Sequence, residues 1–185
     1  MTDYQKLYDG ISRAAWGYFF LYFNININQV SLLPSFVGYL LFLSAISLLR
    51  EEQRELSLLR TMGILLTIWH GAEWVLSWVG SNLDGAWQFV DILVSLVNLY
   101  FHYQLLTNLA SIAANHQPEG YALDEKLLRY RTLQTVMLTV IEIILLLQPW
   151  LSEFGVIISV LLSLVYLIAG ICLMKVLFDL RKCLL

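Results

Sequence analysis

The feature that most constrains this chain is its division into six apolar runs, with nearly every charged residue placed between them. A helix needs roughly 20 apolar residues to cross about 30 Å of hydrocarbon at a rise of about 1.5 Å per residue. Unpaired backbone groups are too costly in lipid for any spanning structure except helices and closed barrels. These runs lack the alternation of apolar and polar residues that a barrel wall needs. The expected fold class is therefore all-α, a polytopic transmembrane helical bundle of six spans with both termini cytoplasmic, forming a single transmembrane domain over residues 1–185. Composition agrees: only 14% of residues are charged and mean hydropathy is +0.70, outside the range of soluble domains.

The spans are expected at about 11–25, 33–49, 60–79, 86–108, 132–147 and 155–178. The first is short and aromatic, AAWGYFFLYF in its middle, and Asn24, Asn26 and Asn28 end it. Met1 to Gly10 is polar and acidic and no small-residue cleavage site follows, so this run is expected to be retained as a span. Pro34 opens the second helix, where a missing N–H costs nothing, and REEQRE closes it. The fourth run keeps its pattern past Asn108, until NHQPEG breaks it. DEKLLRYR, Asp124 to Arg131, reads as a surface lead-in to the fifth span, acidic residues first and basic ones last, as the helix dipole prefers.

Orientation follows from the basic residues. The eleven Lys and Arg lie before or at the opening of span one, between spans two and three, between four and five, and at the end of span six. The connections 24–33, 80–86 and 149–154 contain none. The positive-inside rule puts the basic side in the cytoplasm. Trp78, Trp87 and Trp150 then fall at the outer ends of spans, at headgroup level, whereas Trp69 and Trp74 lie deeper and read as bundle packing. The expected location is a cell membrane, multi-pass, the bacterial inner or plasma membrane, with the lipid bilayer as the first partner. A net charge of -3 with no basic patch argues against nucleic acid. Cys172 and Cys183 are expected to be free thiols.

Four ionisable residues interrupt the runs: His70 and Glu73 in WHGAEW, Asp91, and Glu142 in TVIEIILLL. An ionisable group in hydrocarbon is costly unless paired, protonated or watered, so each is a candidate ligand-binding residue. Counted from the outer ends, Asp91 lies roughly 7 Å deep, Glu73 and Glu142 roughly 10 Å, and His70 roughly 15 Å. His70 and Glu73, three apart, share a helix face. Together with a residue from each of two neighbouring spans they could hold a divalent metal, a proton or a small cationic solute, or form a structural network with Asn98 or Gln88. His102 is expected to snorkel or to bond across helices, and His116 to be solvated. Gly63, Gly71 and Gly170 read as helix-packing positions. No Gly-rich phosphate loop, HExxH, CxxC or Gly-x-Ser-x-Gly motif occurs, so no cofactor is implied.

NININQVSLLPSFVGYLLF, Asn24 to Phe42, with its Leu33-Pro34 and Gly38-Tyr39 pairs, resembles small multi-spanning membrane proteins of Gram-positive bacteria without assigned activity, and implies no function. In build the chain also resembles the substrate-capturing membrane subunits of energy-coupling vitamin importers, which have six spans and an outward-facing pocket. It departs from them in lacking their small-residue coupling surface, since Ala14 and Ala15 are followed by bulky aromatics. Three readings follow. The first is a transport-related or solute-binding subunit whose outward-facing acidic pocket takes a cation, proton or metal, working with a membrane-protein partner or as a homo-oligomer. The second is a non-catalytic scaffold, sensor or immunity-type protein, with REEQRE and DEKLLRYR as its contacts. The third is a membrane hydrolase using a metal-activated water.

Overall fold

The polar breaks that fall among the described residues coincide with helix ends in the computed structural model, which describes residues 4–23, 26–27, 30–31, 33–78, 88–147 and 153–184. The helices are α1 (Tyr4–Tyr22), α2 (Ser35–Leu49), α3 (Leu56–Trp78), α4 (Gln88–His116), α5 (Leu123–Leu146) and α6 (Glu153–Lys182). The protein is all-α apart from one two-residue antiparallel ladder before α2, in which Asn26 pairs with Ser31 and Ile27 with Val30. Pro34 precedes α2 in an extended conformation, φ -71° and ψ 134°, and its carbonyl accepts from Val37 N–H. The α4–α5 break shrinks to a few residues because Gln117 caps the next helix. Its Oε1 accepts from the backbone N–H groups of Leu123 at 2.6 Å and Asp124 at 3.3 Å, and its Nε2 donates to the Asp124 carboxylate at 2.7 Å. Two of the four donors that a helix start leaves unpaired are thereby satisfied.

Except for α2, the helices are longer than the apolar runs. α1 begins at Tyr4 rather than Ile11, α3 at Leu56 rather than Arg60, α5 at Leu123 rather than Thr132, and α4 continues to His116. Apolarity marks what is removed from water, whereas the backbone ladder continues through any helix-compatible residue. The expected connections 80–86 and 149–154, with Asn24, Asn28, Trp87 and Trp150, lie outside the described residues.

Among the described residues, two helices are long and apolar enough to cross a membrane: Phe89–His116, mean hydropathy 1.4, and Ile157–Lys182, mean hydropathy 2.7. α2 is apolar but has 15 residues. Arg13, Glu73 and Arg131 interrupt α1, α3 and α5. The expectation of six spans is thus met by six helices but not by six segments of spanning hydropathy. The two long apolar helices are mostly unburied, 28% and 22% of each apolar window lying inside the protein, unlike core helices of a soluble domain. Phe89 is 72% exposed and Ile68 67%, part of an outward-facing apolar surface that also includes Leu96, Val140, Leu161 and Val165.

Each helix packs on its chain neighbours, and α6 returns to α1, closing a ring. The tightest approach is between α1 and α2. A Cβ added to Gly38 would lie 2.8 Å from the Gly17 carbonyl oxygen, and one added to Gly10 would meet Leu49 at 2.6 Å. Gly10 and Gly17 leave room on α1 that Leu49 and Phe42 of α2 occupy. The core concentrates at the end where the basic residues gather, around Leu7, Ile11, Leu49, Leu59, Leu105 and Leu177. Polar links tie that end together: Lys6 to Glu51 at 3.1 Å, His116 to Glu52 at 3.5 Å, Arg181 to Ser12 at 3.2 Å, and Arg13 to Ser44. His116, expected to be solvated, is instead held between Glu52 and the Tyr4 ring, whose centroid is 6.0 Å away, because α4 ends against the start of α1.

Candidate functional site

Asp91, Ser95, Asn98 and His102 recur on α4 at intervals of four, three and four residues, which puts them on one helix face. Each of the last three meets a different helix. The Tyr39 hydroxyl of α2 donates to Asn98 Oδ1 at 2.7 Å. The Tyr18 hydroxyl of α1 lies 3.3 Å from His102 Nδ1, and Ser95 donates to Glu142 Oε1 of α5 at 3.2 Å. This stripe is a polar spine inside the bundle. Its 4-3-4 spacing within an apolar helix was the signal available in the sequence for Ser95, which reading ionisable residues alone passes over.

α3 adds the expected His70–Glu73 pair. One Glu73 oxygen lies 2.8 Å from His70 Nδ1 and the other accepts the Trp69 indole N–H at 2.7 Å. The carboxylate can only accept, so Nδ1 is the donor in this contact. Nε2 is buried with no hydrogen-bond partner among the described residues. The imidazole stacks on Tyr39, centroids 5.0 Å apart and planes 6° from parallel. Tyr39 thereby connects His70 to Asn98.

Glu142 stands apart from that pair. With Ser95, Asn98 and Thr139 it supplies the polar part of a cavity of about 160 Å³ between α4 and α5, whose walls include Ile92, Leu99, Leu138 and Leu146. Neither His70 nor Glu73 lines it. Asp91 sits in the first turn of α4, where the helix dipole favours a carboxylate. The four candidates are thus distributed along the spine as one pair, one cavity carboxylate and one helix-terminal carboxylate. No three His, Cys, Asp or Glu side chains come together as a metal site among the described residues.

His102 is 8% exposed and bonds across helices to Tyr18; it does not snorkel. Phe42 and Phe101 pack around it, with centroids 5.6 and 5.4 Å from its ring. Trp69 packs on the core and Trp74 tilts against Phe36 at 5.5 Å, as bundle packing requires. Gly63 lies against Leu43 and Phe101, whereas Gly71 has nothing within 4 Å and so is not a packing position. Cys172 and Cys183 are free. In the REEQRE turn Glu51 pairs with Lys6, Glu52 with His116 and Gln53 with Ser111, while Arg50 and Arg54 are exposed.

No family model, no curated protein and no solved structure matches this chain. The likenesses read at 24–42 and in the overall build therefore bring no activity or ligand with them.

Proposed function

We propose that residues 1–185 form one transmembrane domain of a bacterial cell membrane, crossing six times with both ends cytoplasmic, and that it is a transport-related or solute-binding subunit. The mostly unburied apolar surface of α4 and α6 supports the membrane reading, because soluble proteins rarely leave such surfaces uncovered. The gathering of Lys6, His116 and Arg181 at one end supports the orientation. Arg13, Glu73 and Arg131 are accommodated in such a bundle by partners on neighbouring turns or helices.

The observation that carries the solute-binding reading is Glu142 in its apolar cavity. A carboxylate with one serine donor and aliphatic walls is balanced by a proton or a small organic cation. The His70–Glu73 pair, reached through Asn98 and Tyr39, offers a second place for a proton, and Asp91 adds negative charge toward the outer end of the spine. A ring this small works with a membrane-protein partner or a second copy to complete a transport cycle.

The test uses radiolabelled tetramethylammonium, small and permanently charged, with detergent-purified protein in equilibrium dialysis and a pH indicator in the sample. Saturable binding that releases a proton in wild type and is lost in Glu142→Gln supports the reading. Equal binding in wild type and Glu142→Gln, or no binding and no proton release, overturns it and favours the scaffold.

A further inference from the structure

A second cavity, about 400 Å³, opens between α1 and α6 and shares no residue with the first. Leu21, Val160, Leu164 and Leu167 make its apolar walls, and Tyr22, Ser159, Ser163 and Tyr166 bring hydroxyl groups. None of its lining residues is charged.

Its polar side is a built arrangement. The Tyr22 and Tyr166 rings meet edge to face at 5.3 Å, and their hydroxyls share a hydrogen bond. Tyr22 is seated by Gly170, where an added Cβ would come within 2.7 Å of the ring carbon bearing the hydroxyl. From α5, the Gln134 side chain lies beside the same tyrosine. Gln134 is only 4% exposed, and its Nε2 is buried with no acceptor among the described residues. A buried amide donor without an acceptor is rare, because it forfeits its hydration for nothing. Here it stands beside a cavity wall already rich in hydroxyls.

We propose that this groove binds a neutral, membrane-soluble molecule carrying a carbonyl oxygen on an apolar body. The carbonyl takes the Tyr166 hydroxyl and the Gln134 amide as donors, the Tyr22 proton being held by Tyr166. The leucine and valine walls hold the body, and the absence of charged lining excludes the cations expected at Glu142. A carbonyl of this kind comes from two sources, a free quinone-type ring or the ester of a glycerolipid. The site is independent of the cation reading and stands or falls separately from it.

The experiment titrates delipidated, detergent-purified protein with menadione, followed by quenching of its aromatic fluorescence, and in parallel measures dioleoylglycerol binding by native mass spectrometry. Saturable menadione binding weakened at least tenfold by Gln134→Leu and by Tyr166→Phe assigns the site to a free carbonyl compound. Dioleoylglycerol binding with the same sensitivity, without menadione binding, assigns it to a lipid ester. Ser163→Phe, which fills the groove and leaves Gln134 and both tyrosine hydroxyls chemically intact, abolishes either signal if the groove is the site, and its folding is checked by helical circular dichroism. Binding of both probes that is unchanged in the folded variants, or no saturable binding of either, overturns the proposal.

Discussion

A polar side chain in an apolar helix is tolerated where a neighbour completes its hydrogen bonds, and α4 places such neighbours at successive turns. Tyr39 shows how much rests on one hydroxyl. It donates to Asn98, stacks on His70 and is 1% exposed. Hydrogen bonds between membrane helices contribute about 0.6 kcal/mol on average and up to about 1.7. Tyr39→Phe is expected to cost about 1 kcal/mol, and Asn98→Leu a similar amount. The double variant should cost less than their sum, because both remove the same bond. Reversible unfolding in mixed micelles measures all three, and strict additivity would show that the two residues do not interact. The His70–Glu73 pair was legible in the sequence, since a spacing of three fixes a shared helix face. The joining of His70 to Asn98 was not, because it depends on Tyr39 of a different helix.

Helix ends decide the geometry between elements, and the α4–α5 corner is the clearest case. Pro118 and Gly120 mark the break in the sequence, and Gly120 adopts φ 89°, which glycine reaches without strain. The hydrogen bond from Gln117, then the backbone N–H bonds, hold the Asp124 carboxyl below the usual aspartate range. A carboxyl depressed in the folded state stabilises fully above its unfolded value, about 3.9. That contribution is lost as pH falls through the lowered folded value. Gln117→Ala is expected to return the Asp124 midpoint toward the ordinary range, to start acid unfolding at a higher pH, and to cost about 0.5–2 kcal/mol through the lost cap. Carboxyl NMR of labelled aspartate follows the midpoint, and an unmoved value would remove Gln117 as its cause. The sequence announced a turn here through proline and glycine. The capping glutamine was hidden because Gln is an ordinary helix residue, and its role depends on where the next helix starts.

For the whole molecule, the proposed six crossings put every Lys and Arg on one side. Cys183 near the chain end is then cytoplasmic. A cysteine placed at Asn82 in a Cys172→Ala background is external. An impermeant maleimide added to intact cells should label the residue-82 cysteine and reach Cys183 only after permeabilisation. Burial, followed by the Asp179 charge, pushes the Cys183 thiol up, so labelling is run at mildly alkaline pH, where enough thiolate forms. Labelling of Cys183 from outside would reverse the orientation or remove a crossing.

The sequence by itself determined that this chain is helical, that six apolar runs become six helices, and that His70 and Glu73 meet. These follow from periodicity and spacing along one dimension, where backbone hydrogen bonding and helix pitch leave little freedom. Only the tertiary structure decided that Glu142 lies in its own cavity, that the polar spine of α4 meets α1, α2 and α5, that Gln134 is buried without an acceptor beside Tyr22, and that Gly10 and Gly17 face α2. Each depends on how a helix is rotated about its axis against its neighbours. That rotation is set by the close approach at Gly17 and Gly38 and by the interlocking of Tyr18, Phe42, Phe101 and His102. Packing of this kind joins residues far apart in the chain, and no local pattern along the chain records it.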